Sequence, residues 1–155
     1  MADLLVVMSN VPAAVEGDKW FLDIKAVEGL VLYARFWGGA VRCLTRRTDC
    51  SAIPFCREYD PDDLGFEIIP ISDDASDSAP WLKDASVVLA SGDNHHDLAV
   101  GSLLSAPLVF SIELTLSTRL RIIALEKGIS IPALKTAIWT LSLERRRRAA
   151  FRAAA

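Results

Sequence analysis

The chain has 155 residues, 52% hydrophobic and 24% charged, with a net charge of −3. That length makes one domain, which buries roughly 70% of the surface its unfolded form exposes, and the apolar fraction with so little net charge excludes a disordered chain. Purely apolar runs reach only a few residues, far short of the about 20 that a spanning helix needs, and Met1-Ala2-Asp3 offers no basic region ahead of Leu4–Met8 as an export signal would.

The chain is predicted to alternate strands and helices. Leu4-Leu5-Val6-Val7-Met8 reads as a strand covered on both faces, because such strands lose the apolar/polar alternation. A helix is expected over Trp20–Trp37, with Ile24, Val27, Leu30 and Val31 on one face and Gly38-Gly39 as its stop. Strands follow at Ala40–Thr45, Phe66–Ile71, Ser86–Ala90 and Pro107–Ser111, with a short helix after the fourth strand carrying Leu98, Val100, Leu103 and Leu104. Thr118–Lys127 reads as a helix stopped by Gly128, and Ile131-Pro132 opens a last helix, proline being tolerated in a first turn. The whole predicts an α/β class chain: one Rossmann-like three-layer domain over residues 1–155, with a mainly parallel sheet of about five strands and a basic C-terminal helix. The acidic loops Asp60–Asp63 and Asp73–Asp77 separate elements within that domain.

Charge is divided unevenly. Residues 1–113 carry eight Lys/Arg and eighteen Asp/Glu, a balance of −10, whereas residues 114–155 carry nine and two, a balance of +7. A basic end on an acidic body calls for an anionic partner or surface. Cys43, Cys50 and Cys56, separated by six and five residues, match neither a zinc spacing nor a disulfide framework, which favours a reducing cytoplasm.

Four segments could carry chemistry. The loop Ser9–Lys19 after the first strand lacks both a Gly-x-Gly-x-x-Gly run and a Walker pattern. Its Gly17, Asp18 and Lys19 are either a helix start capped by Asp18 or a substrate loop. Asp93, Asn94 and His95 follow the fourth strand, where ligands bind in such sheets, and either Asp93 or Asn94 could instead cap the next helix. His95 and His96 are adjacent, so they do not form the i, i+4 pair of a helical zinc site. Glu113, past the fifth strand, could serve as a base or hold a hydroxyl, or pair with Arg119. In the last helix Leu134, Ile138 and Leu141 share one face, and Arg145, Arg146, Arg147 and Arg148 follow. Successive helical residues turn by about 100°, so the four arginines cannot share a face and at least one must snorkel or meet a partner. Arginines flanked by apolar residues suit an anionic membrane surface. Nucleic acid is not expected, because the body is acidic and no recognised binding motif is present.

Three strand-end segments carry a resemblance. Asp3–Ser9 with the Gly17 loop, Ala85–Ser91 and Pro107–Leu114, followed by Arg119–Lys127 and the arginine-rich helix, resemble the N-terminal, acceptor-side domain of retaining GT-B glycosyltransferases of the family 4 type. One glycine stands in the first loop where that family has a pair, and Glu113 stands where many members place a histidine.

The resemblance implies an acceptor-binding domain for a glycan or lipid-linked acceptor, built from Gly17, Asp18, Lys19, Asp93, Asn94 and His95, with Glu113 in the catalytic position. The resemblance implies an incomplete N-terminal half, truncated before the donor-binding domain; the nucleotide sugar would bind only with that second domain, so the chain alone would be inactive. No cofactor and no metal are implied, since such enzymes stabilise the leaving diphosphate with basic side chains and helix N-termini. The implied location is cytoplasmic, with Arg145–Arg148 holding the chain at the inner face of a membrane. A self-standing flavodoxin-like ligand-binding module, or a membrane-surface adaptor without catalysis, is the alternative reading of the same elements.

Overall fold

Leu5, Val6, Val7 and Met8 are all buried, because β1 (Leu4–Met8) is the middle strand of a five-stranded sheet. The computed structural model describes residues 3–92, 95–100, 104–111, 115–128 and 130–154. Around β1 the sheet contains β4 (Ala40–Arg46), β6 (Glu67–Ile71), β7 (Val87–Ser91) and β8 (Leu108–Ser111), in the order β6-β4-β1-β7-β8. All four pairings are parallel. Counted along the chain this is the 3-2-1-4-5 order of a Rossmann-like sheet, which reverses direction between β1 and β7.

Alternation along β1 divides the core. Leu5 and Val7 face one side, with Val27 and Leu30 of α1 (Ile24–Trp37) and with Leu64 and Phe66. Val6 and Met8 face the other, with Leu44 of β4, Val88 of β7, Leu82 of α2 (Ala79–Leu82) and Val100 of α3 (His95–Val100). Leu44, Val6 and Val88 have no exposed surface, and cutting Leu44 to alanine would cost about 3 kcal/mol. The long α5 (Ile131–Ala154) packs on this second side, where Phe151 meets Phe110 with ring centroids 4.9 Å apart. α4 (Leu116–Lys127) lies against α5. Helices therefore cover both faces of the sheet, and the three-layer α/β architecture is as expected.

The start of α1 departs from the expectation. The stretch Trp20–Asp23 is not helical: β3 (Lys19–Asp23) pairs antiparallel with β2 (Ala14–Glu16) and with β5 (Cys56–Tyr59), forming a small second sheet of order β2-β3-β5. Glu16 and Lys19 face each other across a two-residue turn, and Gly17 supplies its positive φ of 59°, as a type II′ hairpin turn requires. The helix cap is Asp23 rather than Asp18: its Oδ1 accepts the amides of Lys25 and Ala26 at 2.7 and 3.3 Å. This sheet stands on the carboxyl edge of the main one, joined by Ala13, whose amide donates to Arg46 and whose carbonyl accepts from Thr48.

A close backbone approach fixes the opposite edge. A Cβ on Gly39 would lie 2.0 Å from the carbonyl oxygen of Asp3, the same oxygen that accepts the amide of Ala40 at 3.0 Å and the indole N–H of Trp37 at 3.2 Å. Only glycine allows β4 to approach β1 there. On the outermost strand β6, Pro70 stands opposite Thr45 and has no backbone amide to share, which suits an edge position.

Candidate functional site

Ligands of open parallel sheets sit beyond the carboxyl ends of the strands, where the strand order reverses. A cavity of about 220 Å³ lies there, between β1, β7, β8 and α1. Ser9 and Asn10 line it from the end of β1, Ser91 and Ser111 from the ends of β7 and β8, and Lys25, Gly29 and Tyr33 from α1. These last three recur every fourth residue and form one ridge of the helix. Gly29 leaves its middle open, with nothing within 4 Å of the place a Cβ would take.

The rim is firmly built. Ser9 Oγ donates to the carbonyl of Val11 at 2.9 Å, and the same carbonyl accepts Thr45 Oγ1 at 2.7 Å. The amide of Ser9 donates to Leu44. On the other side the amide of Ser91 donates to Asp97 Oδ2 at 2.8 Å, an acid only 3% exposed, and the amide of Gly92 donates to the carbonyl of Ser111.

Electrostatics at the head of α1 decide which ligands fit. A helix N-terminus ordinarily attracts phosphate through its unpaired amides. Here the Asp23 carboxylate occupies two of them and sets a negative charge on the helix axis. Lys25, the cation of the cavity wall, lies with its ammonium 4.4 Å from the centre of the Phe55 ring. Apart from Lys25 the described lining is hydroxyl, amide and apolar, and Lys25 and Tyr33 are its titratable side chains. Hydroxyl and amide groups of this kind can hydrogen-bond polar, uncharged ligands, and among the described residues no carboxylate or histidine lines the cavity.

The floor continues beyond the cavity. Leu89 pairs in register with Val109 on the α1 side of the sheet, and Val109 is 51% exposed, as are Leu32 and Phe36 of α1 at 52% and 75%. Among the described residues no helix covers this half of the face. A second hollow, of about 560 Å³, opens at the same edge beyond β4 and β6. Arg46, Asp73, Asp74, His96 and Trp139 line it. His96 is held by Asp97, Nδ1 to Oδ1 at 3.4 Å, and its buried Nε2 has no hydrogen-bond partner among the described residues. Asp74 accepts the amide of Ser76, which with the Ser76 hydroxyl holds its carboxyl below the usual carboxylate range. Among the described residues no group of three or more His, Cys, Asp or Glu is placed to hold a metal ion.

The residues expected from the sequence are only partly gathered here. Gly17 and Asp18 form the tip of the β2–β3 hairpin, and Lys19 Nζ is bonded to Asp60 Oδ2 at 2.9 Å; none of the three lines either hollow. His95 opens α3. Asp93, Asn94 and Glu113 lie outside the described residues. The arginine cluster is not a single outward patch: Arg147 is 9% exposed and paired with Glu144, so it cannot join Arg145, Arg146 and Arg148 at a surface. Arg148 shares Glu144 at 2.8 Å while staying exposed. The apolar face Leu134, Ile138, Leu141 does exist, but it points outward; the inward face carries Ala133, Thr140 and Leu143. The sequence reading missed Lys25, Gly29 and Tyr33, although a glycine four residues from each of two long side chains was a visible sign of a groove.

No family model, curated protein or solved structure matches the chain. Fold and site together define it as a Rossmann-like α/β domain with a hydroxyl-lined crevice at its topological switch point. Among the described residues no helix is long and apolar enough to cross a membrane.

Proposed function

We propose that this chain is the acceptor-binding domain of a GT-B-type glycosyltransferase, holding a glycan or lipid-linked acceptor at the carboxyl edge of its sheet while a donor-binding domain supplies the nucleotide sugar. The observation that carries this reading is the capped head of α1 beneath a hydroxyl-lined crevice. Asp23 disfavours a pyrophosphate where a nucleotide-binding Rossmann domain would hold one, and Ser9, Asn10, Ser91, Ser111 and Tyr33 offer hydrogen bonds suited to sugar hydroxyls. Donor chemistry then belongs to another domain, and the bare apolar half-face over β7 and β8 gives such a domain a surface to approach. In this reading Glu113, just past β8, remains the candidate for the acceptor-side base. Titration of the chain with short oligosaccharides, followed by amide chemical shifts, tests the assignment. Shifts centred on Asn10, Gly29, Tyr33 and Ser91 are expected, with Tyr33→Ala weakening binding about tenfold, a loss of about 1.4 kcal/mol. Shifts at Lys25 and Ala26 produced by a nucleoside diphosphate, and none by sugars, would refute it.

Contact with an anionic membrane is a second role, favoured by the outer face of α5. Ile131, Leu134, Ile138 and Leu141 are 74%, 62%, 58% and 44% exposed, and the same three-four spacing continues through Arg145, Arg148 and Arg152. An apolar half followed by a basic half suits a lipid interface of negative charge, which the peripheral location requires. Cosedimentation with anionic vesicles but not with zwitterionic ones, abolished by Arg145→Glu with Arg146→Glu, is the expected outcome. Equal sedimentation with both vesicle types would remove the electrostatic part of this role.

A further inference from the structure

Cys50 and Cys56 stand six residues apart in sequence, and their sulfurs are 2.9 Å apart. Both are free thiols, half-buried and therefore within reach of small molecules, unlike Cys43 in the core. A disulfide needs about 2.0 Å between sulfurs, so little movement separates the two states.

The segment between them is already fixed at several points. The amides of Ala52 and Ile53 bond back to Asp49 and Cys50 at 3.0 and 3.1 Å, and Ile53 is buried. Phe55 is held at a φ of 48°, in the left-handed region that residues other than glycine seldom occupy, and its carbonyl accepts the amide of Ile24 at 3.2 Å. Cys56 then enters β5 opposite Asp23. Its ring neighbour Phe55 carries Lys25, a wall residue of the crevice.

We propose that Cys50 and Cys56 are a reversible thiol–disulfide pair, oxidised by a small-molecule disulfide, whose bond locks the 50–56 turn beneath the Lys25 wall of the crevice. The Cys50 thiolate attacks one sulfur of the small disulfide; that S–S bond breaks and one thiolate leaves. The Cys56 thiol gives its proton to solvent and attacks the Cys50 sulfur, releasing the second thiolate. The two cysteines lose two electrons and two protons, and the small disulfide becomes two thiols. The hydrogen bond with Cys50, then burial, with Glu16 and Asp23 adding to them, hold the Cys56 thiol up at about 11 while the two thiols are in contact. Once Cys50 is in the mixed disulfide, its push on Cys56 is gone and the second attack can follow.

The sequence makes the test simple, because trypsin leaves Cys50 and Cys56 together in the peptide Thr48–Arg57 and Cys43 in the separate peptide Cys43–Arg46. The full native chain is equilibrated with oxidised glutathione, alkylated after denaturation, digested and weighed. Thr48–Arg57 is expected to lose two hydrogens and all alkylation, to regain both on treatment with dithiothreitol, and Cys43–Arg46 to be alkylated throughout. Hydrogen exchange at the Ile24 amide is expected to slow in the oxidised form. Glutathione adducts or free thiols at both positions would overturn the pair, and unchanged exchange at Ile24 in fully oxidised protein would overturn the lock. Neither readout depends on sugar binding, so the pair stands or falls apart from the glycan assignment.

Discussion

The carboxylate of Asp23 accepts the backbone amide of Lys25 at 2.7 Å, and this bond starts α1 and sets a carboxylate at its N-terminus. Replacing the acceptor exposes two unpaired amides. Asp23→Ala is expected to destabilise the protein by about 1 kcal/mol, read as a fall in Tm of about 2–4 °C. Asp23→Asn keeps an acceptor and should lose less. Thermal unfolding of the three proteins in one buffer checks the order.

Gly29 separates stability from binding. It lies inside α1 with open space where a side chain would begin, so Gly29→Ala should stabilise the helix by up to about 1 kcal/mol. The same methyl group enters the crevice between Lys25 and Tyr33. A raised Tm together with weakened oligosaccharide binding is the expected result. Weakened binding in a destabilised protein would instead mean that the residue matters only for folding.

Cys43 should make the fold sensitive to base. Burial pushes its thiol up from 9.0 to about 12, against a smaller opposing effect of the hydrogen bond with Ser9. The folded chain thus holds this proton more tightly than the unfolded chain does. The resulting stability is fully present below pH 9.0 and is lost as pH rises through about 12. The slope approaches about 1.4 kcal/mol per pH unit. Urea unfolding of the wild type and of Cys43→Ala across this range should show the difference between them shrinking.

The hairpin tip responds at the acid end. The bond from Lys19 holds the Asp60 carboxyl below its ordinary value of 3.8, helped by the amide of Asp62, and Asp60 in turn raises Lys19 above 10.5. Asp60 therefore stabilises the fold above the ordinary carboxylate range and stops doing so as pH falls below it; Lys19 does the same below 10.5 and loses the effect above it. Both side chains are exposed, so the contribution is small and screened by salt. Wild type and Asp60→Asn should differ slightly at neutral pH and low salt, and converge in strong acid or high salt.

The main sheet was legible because buried parallel strands write themselves as short apolar runs: Leu4–Met8 matches β1 residue for residue, and the other four agree within one residue at their ends. The small sheet was not. Trp20 falls four residues before Ile24, so it continues the helical spacing of α1 although it sits in β3. Strands of three to five residues are too short to show a period of two against that pattern. The α5 stripe Leu134, Ile138, Leu141 was read correctly as a face, yet period alone does not say which way a face looks. Ala133, Thr140 and Leu143 are the residues that pack inward. The Cys50–Cys56 contact was hidden for a different reason: it depends on the left-handed turn at Phe55, a backbone choice no cysteine spacing encodes.

Pro70 gives the main sheet a direction. The outermost strand β6 carries a proline, a residue that disfavours further strand pairing at an edge. At the far border, β8 (Leu108–Ser111) contains no proline. The border without a proline among the described residues is thus the one next to Ser111 and the exposed Val109. A strand placed along that border would deepen the crevice instead of widening the domain away from it.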